Sequence, residues 1–218
     1  MRIRALAIAA AFVFATVAPG TASAVQFAGS SGTRAATADF TLNAGTLRVI
    51  LTNTSTADVV NEPDLLTAVS FSINTTATLT PVSAFLTGGS TVFYDPDGQP
   101  AGGVVGGEWA YKTGLSGAPQ GVNAGISSAG FSNSFVIADL FPGPNLAGPL
   151  APNGEQYGIL SAGDNAATGH SLIIGTGGQI QNSVTFDLSG ATASDLASIN
   201  MVSFQYSSSL TGPNLVGN

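Results

Sequence analysis

Glu108 stands directly before Trp109, the single tryptophan of the chain, and Tyr111 follows two positions later. A carboxylate flanked by aromatic rings suits a sugar. The rings offer flat apolar faces, and the acid can bind hydroxyl groups or move a proton. Glycoside hydrolysis asks for two such carboxylates, one with a raised pKa. The same residues have a plainer use: Trp109 and Tyr111 alternate about Ala110, so on a strand they share one face and can serve the core.

Asp95-Pro96-Asp97-Gly98 opens like an oxygen-rich loop, and calcium is the hard cation such a loop takes. An EF-hand would need a third ligand and a glutamate where Gln99 and Gly106 stand. The pattern is therefore not an EF-hand. Asp95 and Asp97, joined by a distant carboxylate, form a candidate calcium site; an Asx-type turn between two strands is the competing reading. No other cofactor is implied. Gly169-His170-Ser171-Leu172-Ile173 begins like a nucleophile elbow, but that motif requires glycine where Ile173 stands. His170 is the only histidine, so base and nucleophile would be loop neighbours, which rarely meets the triad geometry. A turn before a strand Ser171–Ile174 fits better. With no cysteine in the chain, no thiolate nucleophile exists. These absences point to a non-enzymatic role.

Charge narrows the partners. The 218 residues carry 5 Lys and Arg against 12 Asp and Glu, a formal net charge of −7. Charged residues make up 8 %, against about 25 % in ordinary soluble domains. A nucleic-acid surface needs clustered Lys and Arg, and none is present. Two N-x-[ST] sequons occur, at Asn53-Thr54-Ser55 and Asn74-Thr75-Thr76, and they matter only in a host that glycosylates them.

The elements that must position these residues begin after residue 24. Met1-Arg2-Ile3-Arg4 is a short positive segment, Ala5 to Ala18 an apolar run, Pro19-Gly20 a break, and Ala22-Ser23-Ala24 a small-x-small cleavage pattern. Together they read as a secretory signal peptide over 1–24, and the apolar run is too short for a membrane span. Residues 25–218 form the expected single exported domain, without a membrane span. There Arg34, Arg48 and Lys112 are the remaining cations. Leu47, Val49 and Leu51 share one face; so do Val69, Phe71 and Ile73, then Val184, Phe186 and Leu188, then Val202, Phe204 and Tyr206. Period-two alternation of this kind marks half-buried antiparallel strands. Shorter candidates are Gln26–Phe27, Ala38–Leu42, Leu79–Phe85, Thr91–Tyr94, Trp109–Lys112, Phe135–Ile137 and Ser171–Ile174. A helical turn or two is predicted from Thr192 to Ile199, capped by Thr192 or Ser194, and a single turn over Glu62–Leu66 with Pro63 near its start. The 28 glycines and 11 prolines are dense over residues 96–169, a region of tight turns between short strands or an elaborated loop edge. The expected fold is an all-β antiparallel β-sandwich, jelly-roll-like, with long Gly/Pro-rich loops.

Several segments of this central region, taken in order, carry a resemblance. They are Val105-Gly106-Gly107-Glu108-Trp109-Ala110-Tyr111-Lys112, Leu115-Ser116-Gly117-Ala118-Pro119, Gly125-Ile126-Ser127-Ser128-Ala129-Gly130-Phe131, Phe141-Pro142-Gly143-Pro144-Asn145-Leu146-Ala147-Gly148-Pro149 and Gln156-Tyr157-Gly158-Ile159-Leu160-Ser161-Ala162-Gly163-Asp164-Asn165, with Val202-Ser203-Phe204-Gln205-Tyr206 near the end. Their succession resembles the XDD4 family of exosortase-dependent bacterial surface proteins, related to the PEP-CTERM proteins. The resemblance implies a secreted β-sandwich of a Gram-negative, biofilm-forming bacterium, associated with the outer surface and exopolysaccharide matrix, and it implies no catalytic residue. It also implies a C-terminal sorting signal of a Pro-Glu-Pro-like motif, an apolar helix and a basic cluster. The final residues Asn214-Leu215-Val216-Gly217-Asn218 do not carry that pattern. The leading expectation is a non-enzymatic secreted, surface or matrix protein. The alternative is a carbohydrate-binding or glycan-cleaving extracellular module built on Glu108, Trp109 and Tyr111.

Overall fold

The computed structural model describes residues 23–74, 76, 79–93, 103–129, 146, 157–168, 178–208 and 212–218. Residues 1–22, which make up most of the expected 1–24 leader, the Asp95 and Asp97 loop, His170, and the strand candidates at 135–137 and 171–174 lie outside these residues.

The chain is all-β, and its strands form two packed sheets as expected. The first sheet starts as a meander of β1 (Ala24–Ser31), β2 (Arg34–Asn43) and β3 (Thr46–Asn53). Ala44 and Gly45, both at positive φ, close the β2–β3 hairpin in two residues, the turn whose twist matches paired strands. This meander is a simpler order than a jelly roll. Two later strands, β5 (Thr80–Leu86) and β11 (Ser183–Ser189), complete the order β1-β2-β3-β11-β5.

The second sheet is centred on β4 (Leu66–Ser72). On one side of β4 lie β12 (Asn200–Tyr206) and then β13 (Asn214–Gly217). On its other edge, β8 (Ala124–Ser127) pairs with most of it and carries β7 (Ala110–Thr113) outside. Leu66 pairs instead with β9 (Ile159–Leu160), which leads to β10 (Gln179–Gln181) and β6 (Thr91–Phe93). The β9–β10 pair is parallel.

Register explains the core. Phe40, Val49, Phe186 and Ala84 form one row across the first sheet. Leu215, Phe204, Val69, Ile126 and Tyr111 form a row across the second. All nine are buried. The sheets touch through edge-on rings, with Phe40 and Phe71 centroids 5.1 Å apart. The other face of the second sheet departs from simple alternation. Ser70, Ser203 and Gln205 are buried as well, because the β7–β8 connection folds back over that face: its turn Pro119–Gly121 packs on β12, and Leu115 lies against Gly125.

The sheets are joined at two corners. At one, Asn182 (φ 87°) is the pivot where the chain leaves β10 for β11. Asn53 braces this pivot. Its amide Nδ2 donates to the Ile159 carbonyl at 3.0 Å, and its Oδ1 accepts from Ser55 N–H at 3.2 Å. Asn53 and Ser55 of the first sequon are therefore buried, with the attachment nitrogen bonded inside the protein, whereas Asn74 of the second is exposed. Asn53→Ala strands the Ile159 carbonyl and is expected to cost about 1–3 kcal/mol, read as a lower denaturation midpoint at unchanged slope. At the other corner, Ala28 and Asn218 exchange both backbone hydrogen bonds (3.1 and 2.9 Å). Gly29 permits this approach, since a Cβ there would sit 2.7 Å from the Val216 carbonyl oxygen.

The single α-helix among the described residues, α1 (Ala193–Ser198), forms where its cap predicts. Thr192 Oγ1 accepts from Asp195 N–H, and Asp195 Oδ2 accepts from Thr192 N–H at 2.8 Å. This reciprocal box satisfies two donors that a helix start otherwise leaves open. Thr192→Ala is expected to lower stability by about 1 kcal/mol and to be visible as a small drop in melting temperature.

Candidate functional site

Residues 105–108 turn the chain from the edge of the first sheet into the second. Val105 N–H donates to the Ala84 carbonyl at 2.9 Å, and Glu108 N–H donates to Val105 at 3.1 Å. Trp109 then enters the sandwich. Its ring is fully buried, 4.9 Å from the Phe186 ring and tilted by 53°, and its carbonyl accepts from Leu146 N–H at 2.8 Å. Tyr111 is also buried, opposite Ile126. Ala110, on the opposite face of the strand, is buried too.

The structure thus brings Glu108, Trp109 and Tyr111 together, but not as a platform for a sugar. A saccharide ring stacks on an aromatic face that solvent can reach, and neither ring is exposed. Their packing is that of core residues, the second reading of this segment. Trp109 Nε1 and Tyr111 Oη are buried without a hydrogen-bond partner. Burial, with the charge of Asp195 adding to it, pushes the Tyr111 phenol well above its usual range.

Glu108 is 9 % exposed. Loss of solvation raises its carboxyl to about 7. A carboxyl of this kind can hold a proton near neutral pH. The cause is burial at the mouth of a packed core, and proximity of a second acid plays no part in it.

Charged side chains missed by local pattern are engaged elsewhere, in pairs. Glu62, in the 3-10 turn Glu62–Asp64, accepts from Ser207 Oγ at 2.7 Å, from Ser208 N–H at 3.0 Å and from Ser208 Oγ. Burial pulls its pKa up, but the Ser208 and Ser207 hydrogen bonds outweigh it and hold the carboxyl below its usual value. This clasp fixes Ser207 at φ 75°. Next to it, Arg34 pairs with Asp64 at 3.0 Å and donates to the Pro63 carbonyl at 2.7 Å. On the outer face of the first sheet, Arg48 grips Asp187 with two hydrogen bonds of 2.8 Å, its guanidinium 5.5 Å from the Phe85 ring centre. Glu62 and Ser207 are 145 positions apart, and Arg48 and Asp187 are 139 apart. The only sequence hint was Arg48 itself, a lone cation facing away from an apolar strand face.

No protein family, characterised protein or solved structure matches the chain. Function therefore rests on the residues. Among the described residues no group of three or more His, Asp and Glu is placed to hold a metal ion. The Asp95 and Asp97 candidate lies outside them. No helix of the described residues is long and apolar enough to cross a membrane.

Proposed function

We propose that the chain is an exported, non-enzymatic surface or extracellular-matrix protein of a bacterium, working as a stable β-sandwich in contact with exopolysaccharide or other matrix components. The observation that carries this reading is the use made of the reactive residue types. Trp109 and Tyr111 are core, Glu62 and Asp195 hold a turn and a helix cap, and Arg34 and Arg48 are each paired with a carboxylate. Export is supported by the leader-like first 24 residues. Val25, the residue after the cleavage pattern, packs on the core. The carbohydrate-module alternative needed an exposed Trp109 and has lost that anchor.

Fractionation of the producing cells tests the reading. The protein is expected in the medium or in washable matrix. A pool confined to the cell interior would overturn it. Turnover of a glycan or ester by purified protein, lost on Glu108→Gln, would overturn the non-enzymatic part.

A further inference from the structure

The leader reading places the scissile bond between Ala24 and Val25. Both residues lie inside β1, opposite Thr41 and Phe40 of β2. The ladder extends even beyond the strand: Ser23 carbonyl accepts from Leu42 N–H at 3.3 Å. Hydrogen-bonded pairs alternate along an antiparallel ladder, so Val25 and Phe40 are the next such pair, and the amide nitrogen of the scissile bond belongs to it. Val25 and Phe27 pack on the core, and the Phe27 ring meets Phe40 edge-on at 6.0 Å. At the next residue, Ala28 is bonded to Asn218. A protease must bind the residues on both sides of its target in an open, extended form. Here those residues are already paired on one edge and pinned by their side chains.

We infer that the Ala24–Val25 bond is cleavable only before β1 pairs with β2, so that processing precedes folding and the chain must cross its membrane unfolded. This rests on the leader reading of residues 1–24. It adds a kinetic order that the leader alone does not impose. The mature strand then begins flush at Val25 and, among the described residues, gives up the Ser23–Leu42 hydrogen bond.

Three full-length chains test it, each incubated with a type I signal peptidase in detergent micelles and followed by mass spectrometry. One is the refolded natural sequence. One is Phe186→Asp, which buries a charge in the core and stays unfolded without denaturant, as circular dichroism will verify. One is refolded after insertion of a six-residue Gly/Ser spacer between Ala24 and Val25. The unfolded chain is expected to be cut after Ala24 at least about tenfold faster than the folded one, because even a modest opening free energy slows access by that factor. The spacer is expected to restore fast cutting while the domain stays folded. Equal rates for folded and unfolded chains, or a folded spacer chain that stays resistant, would overturn the occlusion and leave the leader reading standing. No cut after Ala24 in the unfolded chain would overturn the leader reading itself.

Discussion

Trp109→Ala is expected to destabilise the protein by about 3–5 kcal/mol, lowering the melting temperature by about 10 °C. The indole is fully buried between the sheets, against Phe186, at the point where the chain enters the second sheet. Removing it takes away the burial of the largest side chain in the core and leaves a cavity that paired strands on both sides cannot close. Trp109→Phe is expected to recover part of this loss, because it keeps an aromatic contact and also removes the unpartnered indole N–H. Thermal melts of the three proteins read the ranking directly. A melt of Trp109→Ala within a degree or two of the natural sequence would contradict the buried placement.

Stability is expected to fall as pH rises from about 4.5 to about 7, through Glu108. Its carboxyl binds a proton more tightly in the folded chain, at about 7, than at its ordinary value of 4.5. Between these values the folded state holds more protons than the unfolded one, so stability declines with pH. Below them the contribution is neutral; above them the full cost of a buried charge is present. The full shift corresponds to roughly 3 kcal/mol, and residual solvent access brings the expectation to about 1–3 kcal/mol. Glu108→Gln removes the titrating proton and keeps the shape. It is expected to match the natural sequence at pH 4.5 and to exceed it at pH 8, measured by chemical denaturation. Glu62 acts with the opposite sign. Its carboxyl is held below the usual value, so its contribution is present above the unfolded pKa and is lost as pH falls. Taking the difference between the natural protein and Glu108→Gln at each pH removes this second group from the comparison.

The strands with strict alternation were legible. Leu47–Leu51, Val184–Leu188 and Val202–Tyr206 fall in strands, as does Val69–Ser72, with Ile73 just past the strand end; of the two expected caps, Thr192 or Ser194, Thr192 caps the helix. Those signals are local, one side chain against the next along the chain. The strands at Ala124–Ser127, Ile159–Leu160, Gln179–Gln181 and Asn214–Gly217 were not anticipated. They are two to four residues long and too short to display a period; their partners hold them in place. Ser70 and Ser203 alternate with the core residues and so lie on the opposite sheet face, yet they are buried because a distant loop covers them. The sequon at Asn53 was misleading for a similar reason: its amide is consumed by a carbonyl 106 positions away. At the candidate site, the segment around Trp109 was visible and its core use was one of two readings. The burial that decides between them, and that retunes Glu108, comes from both sheets and has no local trace.

The place of β11 sets the order in which the sandwich can assemble. β11 lies between β3 and β5, and its Asp187 meets Arg48 across 139 positions of chain. Closing a loop of that length costs about 4 kcal/mol in its length-dependent part alone, and nothing repays it until the second sheet is ready to cover the same core. The meander β1–β3 can pair as soon as it emerges, but one edge of β3 then stays open until most of the chain has followed. Such an edge is a template for any passing strand. Folding is therefore expected to be slow for the size of the domain, and concentration, more than temperature, to decide how much newly made protein is lost to aggregation.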